Sequence, residues 1–265
     1  MTNINMLVDT DSIFFKIAYG NTSESDMRSN YDKFCRKMEL TVQDKLCNPF
    51  DEDEHFHVHY AVKGKDNFRK EFYPQYKATR PDLDQEVRDK LNFLFKYAVE
   101  KGARPADGME ADDLVSIWAH ESRDHGEQYV ICGIDKDLLQ IPGNHYNYGK
   151  DTWQFVDDDT AHYNLMLQCL TGDNSDNIPG LKGIGPKKAE KILKGIPAKR
   201  QWNRVRAAWR GHTGSLKQLE VSHTLLRMLT SWEEYDGIRA HLSSQTAVSE
   251  QHDLSKQSDK AETVH

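Results

Sequence analysis

Short apolar runs and amphipathic stripes take turns along the first 160 residues. Met6, Leu7 and Val8 make a buried strand that ends in polar residues at Asp9, and Ile13, Phe14, Phe15 and Ile17 open a helix behind it. Phe34, Met38, Val42 and Leu46 recur every fourth residue, the stripe of a second helix. Over His55 to Val62, Phe56, Val58, Tyr60 and Val62 alternate as in a half-buried strand. Lys63 to Pro81 is polar, basic and aromatic without periodicity; Leu83, Val87, Leu91, Leu94 and Ala98 then restore a helical stripe. Glu110 to His120 reads as a helix with Leu114, Val115 and Trp118 inward, and Tyr129 to Cys132 as a buried strand ending near Asp135. This alternation predicts an α/β unit over residues 1–160, a mostly parallel central sheet with helices on both faces. From Ala161 to Arg227 only helices are expected, joined by a loop at 172–181 and a glycine hairpin at 182–186, so 161–243 reads as a helical second region. Residues 244–265 are almost devoid of apolar side chains and are expected to be disordered.

Composition changes this picture only locally. The 265 residues contain no apolar run long enough to span a bilayer, and Met1 to Asp9 lacks the basic stretch and apolar core of a secretion signal, so a soluble, cytoplasmic protein without a membrane partner is expected. Cys35, Cys47, Cys132 and Cys169 form neither a CxxC pair nor a zinc-type spacing and read as small buried hydrophobes. The net charge of -7 by itself opposes a nucleic-acid partner, yet Lys182 to Arg210 holds ten Lys or Arg against the single acid Glu190. One surface can therefore be strongly positive while the acids gather elsewhere.

Those acids form the first chemical constellation: Asp9 and Asp11, then Glu110, Asp112 and Asp113, then Asp135 and Asp137, then Asp173 and Asp176. Any one of them taken alone is more often a helix cap or a partner for the helix dipole. Four groups in order, at strand ends and helix starts, point to a cation site instead, because gathered carboxylates repel unless cations lie between them. An all-oxygen donor set selects Mg²⁺, with Mn²⁺ as a substitute. Helix spacing alone would pair Glu110 with Asp113. A second constellation is Gly183-Ile184-Gly185, with Pro186 opening a helix that carries Lys187, Lys188 and Lys191; glycines and a helix start suit close approach to a phosphate, although such a sequence is by itself more often only a turn. The third is Lys63 to Arg80, where Lys63, Lys65, Arg69, Lys70, Lys77 and Arg80 interleave with Phe68, Phe72, Tyr73 and Tyr76, a mixture that suits a single strand and otherwise reads as a solvated loop. His55, His57 and His59 share one strand face and read as an exposed edge rather than a metal site.

Leu7-Val8-Asp9, Tyr76-Lys77-Ala78-Thr79-Arg80, Glu110-Ala111-Asp112-Asp113, Asp135-Lys136-Asp137 and Gly172-Asp173-Asn174-Ser175-Asp176-Asn177-Ile178-Pro179-Gly180, leading into Gly183-Ile184-Gly185, together resemble the 5' nuclease family of flap endonucleases, bacterial DNA polymerase I 5' nuclease domains and phage 5' exonucleases. The resemblance spans residues 5 to 195, and its most specific part is the block from Gly172 to the glycine hairpin. It implies two-metal cleavage of DNA at 5' ends, flaps or nicks, with RNA in RNA-DNA hybrids as a further substrate, in replication or repair. It implies metal ligation by Asp9, Glu110, Asp112, Asp135, Asp137, Asp173 and Asp176, with Asp113 as an additional carboxylate. Residues 63–81 become an arch for a 5' end, Lys77 and Arg80 its cations at the scissile phosphate, and Tyr76 and Lys16 further DNA contacts. Residues 172–195 become a helix-hairpin-helix on duplex backbone through Gly183, Gly185, Lys187, Lys188 and Lys191, with K⁺ as an implied occupant. A monomer working with replication proteins, in a bacterial host's cytoplasm if phage-encoded, completes the expectation.

One departure stands out. Relatives carry a carboxylate at the end of the strand before the arch, whereas this strand ends Ala61-Val62-Lys63-Gly64-Lys65 without an acid. Asp66 is the nearest substitute, and Gly64 offers the backbone freedom to turn it back toward Glu110 and Asp112. Two other readings remain at this point. Asp9-Thr10-Asp11 also looks like the nucleophile motif of haloacid-dehalogenase phosphatases, though the second Asp comes one residue early, and the missing carboxylate suits a binding-only protein with a decayed site.

Overall fold

The computed structural model describes residues 2–20, 23–48, 51 and 53–244. Strand β1 (Thr2–Asp9) lies at the centre of a six-stranded sheet, with Ile4, Met6, Leu7 and Val8 buried. It pairs in parallel with β2 (Glu54–Lys63) on one side and β4 (Gln128–Cys132) on the other. The short β3 (Arg104–Ala106) extends the sheet beyond β2, and β5 (Gly143–Asn147) extends it beyond β4. Only the outermost strand, β6 (Thr152–Val156), runs antiparallel. In the order β3-β2-β1-β4-β5-β6 the chain moves outward in opposite directions from β1 and from β4. Their carboxyl ends therefore flank a topological switch point, where open parallel sheets bind ligands.

Helices cover both faces, as the hydrophobic stripes require. On one face α1 (Asp11–Ala18), α2 (Glu24–Leu46) and α4 (Gln85–Glu100) pack Ile13, Met38, Val42 and Leu94 against Met6, Val8, Val62 and Val130. Ser23 and Asp26 close a capping box at the start of α2. On the other face α5 (Ala111–Asp124) packs Leu114, Val115 and Ile117 against Leu7, Ala61 and Ile131. A third apolar cluster holds the helical region together: α6 (Asp158–Thr171), the two-stranded β7 (Gly172–Asp173) and β8 (Ile178–Pro179), α7 (Pro186–Leu193), α8 (Ala198–Thr213) and α9 (Lys217–Leu226). Among the described residues no helix is long and apolar enough to cross a membrane.

Two expectations need correction, and a third falls outside the described residues. The stretch 63–81 contains a short helix, α3 (Phe68–Phe72), and is docked rather than open: Phe68 joins the α5 cluster and Tyr76 joins the helical-region cluster. Residues 228–243 do not belong with the helical region, because Met228, Leu229 and Leu242 pack with α5 on the sheet. The expected disordered tail, 244–265, lies outside the described residues beyond Ser244. His55, His57 and His59 are exposed along β2 beyond the short β3, as expected. Cys35, Cys132 and Cys169 are buried and Cys47 is half-buried, all as free thiols.

Candidate active site

Asp9 is the last residue of β1 and Asp135 follows β4 by three residues, so the parallel pairing of these strands brings both to the switch point. Asp9 is 6% exposed. Its Oδ1 accepts from the Asp11 backbone N–H at 3.2 Å, and Tyr148 donates to its backbone carbonyl at 2.9 Å. Its Oδ2 has no hydrogen-bond partner among the described residues. Burial, followed by the neighbouring Asp11, pushes the Asp9 carboxyl up to about 8, with Asp135 and Glu110 adding to the effect. Asp112, in the first turn of α5, is likewise held well above the usual carboxylate range by burial and by Glu110 and Asp113.

Glu110 caps α5 and faces the docked segment. Tyr76 donates to Glu110 Oε2 at 2.8 Å and reaches Asp176 Oδ2 at 3.1 Å. The Lys77 ammonium pairs with Glu110 and lies 3.6 Å from Asp176, while Arg80 pairs with Asp176. Burial alone would raise Glu110, but Arg69 and Lys77 outweigh it and hold the carboxyl below its usual range. Lys77 has φ 58, a left-handed backbone unusual for lysine, and its N–H donates to the Asp176 carbonyl at 2.9 Å. These contacts tie the α/β core to the loop between β7 and β8.

The neighbouring Asp113 has a different job. It is fully buried, and Arg69, itself 3% exposed, grips it with both guanidinium nitrogens. Asp113 also accepts from the Glu110 N–H at 3.1 Å and the Leu229 N–H at 3.1 Å. Its oxygens are committed to these donors, so it fixes the start of α5 instead of facing the other acids.

The second acidic group carries its own positive partners. Asp135 caps the 3₁₀ turn Lys136–Gln140, and Gln168 of α6 bonds to Asp137. Burial and the adjacent Asp135 push the Asp137 carboxyl up to about 6. Lys136 donates to Asp173 at 2.8 Å, and together with the Ser175 N–H at 2.8 Å it holds that carboxyl below its usual range against burial.

The glycine hairpin lies in the helical region. Gly183 has φ +79, and a side chain there or at Gly185 would meet nothing within 4 Å. Pro186 opens α7, and Lys187, Lys188 and Lys191 are exposed, as are all ten basic residues between Lys182 and Arg210.

Several predicted residues fall elsewhere. Tyr76 is 2% exposed and supports carboxylates instead of presenting a ring to solvent. Lys16, in the last turn of α1, lies over the Phe34 ring at 5.1 Å and makes no ion pair with the acids among the described residues. Asp66 is exposed, makes no hydrogen bond among the described residues, and acts electrostatically on Arg239. Gly64 does not turn it back; a Cβ at Gly64 would lie 2.3 Å from the Ala106 carbonyl carbon, so this glycine permits close packing against β3. Residues that the sequence did not reveal are Tyr148 beneath Asp9, Gln168 on Asp137 and the buried pairing of Arg69. Only Lys136, flanked by two aspartates, carried a local signal.

The sequence pattern of the 5'-3' exonuclease N-terminal resolvase-like domain matches residues 5–169, which include Asp9, Glu110, Asp112, Asp135 and Asp137. The chain belongs to the 5'-3' exonuclease family. Among its relatives are DNA polymerase I of Rhizobium leguminosarum, 34% identical over 51% of this chain and 14% of that protein, and the 5'-3' exonuclease of Buchnera aphidicola subsp. Schizaphis graminum, 31% identical over 49% of each. The chain thus spans about half the length of the second relative and a smaller share of the first. Two solved structures share the fold. The phage T5 5'-exonuclease with bound divalent zinc ions aligns at TM-score 0.61 and 18% identity, over 91% of this chain and 98% of that one. The phage T5 flap endonuclease, in a pseudo-enzyme-product complex with DNA and metal ions, aligns at TM-score 0.56 and 19% identity, over 84% of this chain and 88% of that one. Membership in the 5'-3' exonuclease family leaves the haloacid-dehalogenase reading without support. The donor set of this family member fits hard divalent cations: Asp9 is a buried and Asp112 a half-buried acid, neither with an ion pair among the described residues, and the acids that act on them, Asp11, Asp135, Glu110 and Asp113, offer only oxygens.

Proposed function

We propose that the chain is a divalent-metal-dependent 5' nuclease that hydrolyses DNA phosphodiesters near 5' ends, flaps and nicks, and RNA in RNA-DNA hybrids, during replication or repair. The observation that supports this reading is the electrostatic influence of Asp11, Asp135 and Glu110 on Asp9 and of Glu110 on Asp112 beside the switch point, with Asp176 tied to Glu110 through Tyr76 and Lys77. Mg²⁺, or Mn²⁺ in its place, would be held by Asp9, Glu110 and Asp112 on the core side and by Asp135, Asp137, Asp173 and Asp176 on the other. When bound, the ions supply an activated water and charge compensation at the leaving oxygen. A phage-type enzyme is part of the proposal.

Lys77 and Arg80 are proposed to stabilise charge on the scissile phosphate. In this structure the two cations compensate Glu110 and Asp176, which keeps them at the mouth of the site. Tyr76 orients both carboxylates from below. Gly183, Gly185, Lys187, Lys188 and Lys191 are proposed to hold duplex backbone, with K⁺ at the hairpin, positioning the substrate without reading its sequence. A monomer acting with replication proteins completes the proposal.

End-labelled flap, nicked, blunt and RNA-DNA substrates, incubated with Mg²⁺ and then with excess chelator, test the reading. Release of short 5' products that stops in chelator is expected; undiminished cutting in chelator sinks the metal mechanism. Binding without cleavage across Mg²⁺ and Mn²⁺ would instead mark a binding-only protein. Gly185→Val and Lys187→Glu should weaken duplex binding, and loss of one phosphate contact at Lys187 should flatten the log-log salt slope by about 0.9. Because a Cβ at Gly185 meets nothing within 4 Å, that variant reports on DNA approach and not on folding.

A further inference from the structure

Resting on the metal-nuclease reading, we infer that Asp11 is a metal ligand, sharing with Asp9 the ion on the core side of the site. The end of β2 offers no oxygen side chain there: Val62 is fully buried in the apolar layer with Met6, Val8 and Ile13, and Lys63 is an exposed cation whose charge reaches Asp11. The first turn of α1 is locked against that strand end instead. The Thr10 N–H donates to the Ala61 carbonyl at 3.0 Å, and the Lys63 N–H donates to Asp11 Oδ1 at 2.9 Å.

An aspartate in the first turn of a helix ordinarily accepts from its own helix's free N–H groups. Asp11 does not. Its Oδ1 is pinned by the neighbouring strand and its Oδ2 has no hydrogen-bond partner among the described residues. Asp9, 6% exposed, is arranged the same way, with Oδ1 held by the Asp11 N–H at 3.2 Å and Oδ2 without a hydrogen-bond partner among the described residues. Two like charges, two residues apart, are therefore forced together by one backbone turn, each with one oxygen fixed and one free. Neither forms a salt bridge with Lys or Arg among the described residues, although Lys63 and Lys77 act on Asp11 from a longer range, whereas Glu110, Asp113, Asp173 and Asp176 all form one. A cation between Asp9 and Asp11 resolves the repulsion that the fold builds in. Thus α1 supplies the carboxylate that β2 lacks, and Asp66 is not needed.

The test is direct metal binding by the full chain without DNA, with Mn²⁺ as the probe, read by electron paramagnetic resonance and calorimetry. Asp11→Asn keeps an oxygen for the Lys63 N–H and removes only the charge; Asp11→Ser is the second variant, and thermal melts check folding. Both are expected to weaken the tighter Mn²⁺ site by about tenfold or more and to raise the Mg²⁺ needed for half-maximal cleavage by a similar factor, while Asp66→Ala leaves both unchanged. Wild-type Mn²⁺ affinity in Asp11→Asn and Asp11→Ser, alongside weakened binding in Asp9→Asn, overturns the role of Asp11 and leaves the nuclease reading standing. If Asp9→Asn also binds Mn²⁺ as the wild type does, the metal reading itself falls.

Discussion

The acids on the α/β core and those on the side of the helical region face the same repulsion and meet it differently. Asp173 and Asp176 are compensated from within, by Lys136 and by Arg80 with Lys77. Asp9 is buried and Asp112 half-buried, neither with an ion pair among the described residues, and Asp9 carries a carboxyl pushed up to about 8. A buried charge without a partner is costly unless it is neutralised. The core side can stay neutral by holding protons or, on the proposed metal reading, by taking a cation from outside, whereas the other side must surrender a lysine or arginine before it can accept one. On the proposed two-metal reading, unequal affinity of the two positions is expected, tighter at the core.

The largest contrast is expected between adjacent residues of one helix. Asp112→Asn should cut turnover by about a thousandfold or more, the scale of losing a major electrostatic contribution, while leaving the fold and duplex binding in Ca²⁺ intact. Asp113→Asn should instead cost about 3–5 kcal/mol in urea unfolding, because it strands the buried Arg69 guanidinium. Reversal of these two outcomes would dissolve the distinction between ligand and fixture. Lys77→Ala and Arg80→Ala should slow single-turnover cleavage by roughly 10²–10³ with only a few-fold change in DNA binding. Equal losses in both measurements would make them binding residues.

The pH dependence of stability sharpens the comparison further. Asp9 shifts from its ordinary 3.8 to about 8 in the fold, so between those values the folded state holds a proton that the unfolded chain has released. Its contribution is fully present below pH 3.8 and is lost as pH rises through about 8. In chelator, Tm should fall across that window; Asp9→Asn or added Mg²⁺ should flatten the curve. A slope unaffected by Asp9→Asn would assign the effect to other groups. The smallest effect is expected from Lys136→Met, which removes the internal cation from Asp173 and should tighten the weaker Mn²⁺ position a few-fold by calorimetry. Weaker binding there would show that Lys136 orders the site instead of competing for it.

The central elements were legible because burial on one or both faces leaves a periodic trace. β1, β2, β4 and the stripes of α2, α4 and α5 all fall where that trace predicts. The short β3 and the edge pair β5 and β6 were not read: three residues of β3 are too few for a period, and β5 mixes Gly143, Asn144 and Asn147 with its buried positions. Local spacing paired Glu110 with Asp113, but a long-range partner, Arg69, took Asp113 away.

The sequence alone determined the α/β alternation, the family and the chemical character of the site, because hydrophobic period and residue type are properties of the chain itself. Only the tertiary structure decided which acids are free. Asp113 is occupied by Arg69 from 44 residues away, Asp176 by Arg80 from 96 residues away, and Asp11 by a backbone N–H 52 residues further along. Whether a carboxylate can take a cation depends on which donors already fill its lone pairs, and those donors come from distant segments that only folding brings within 3 Å.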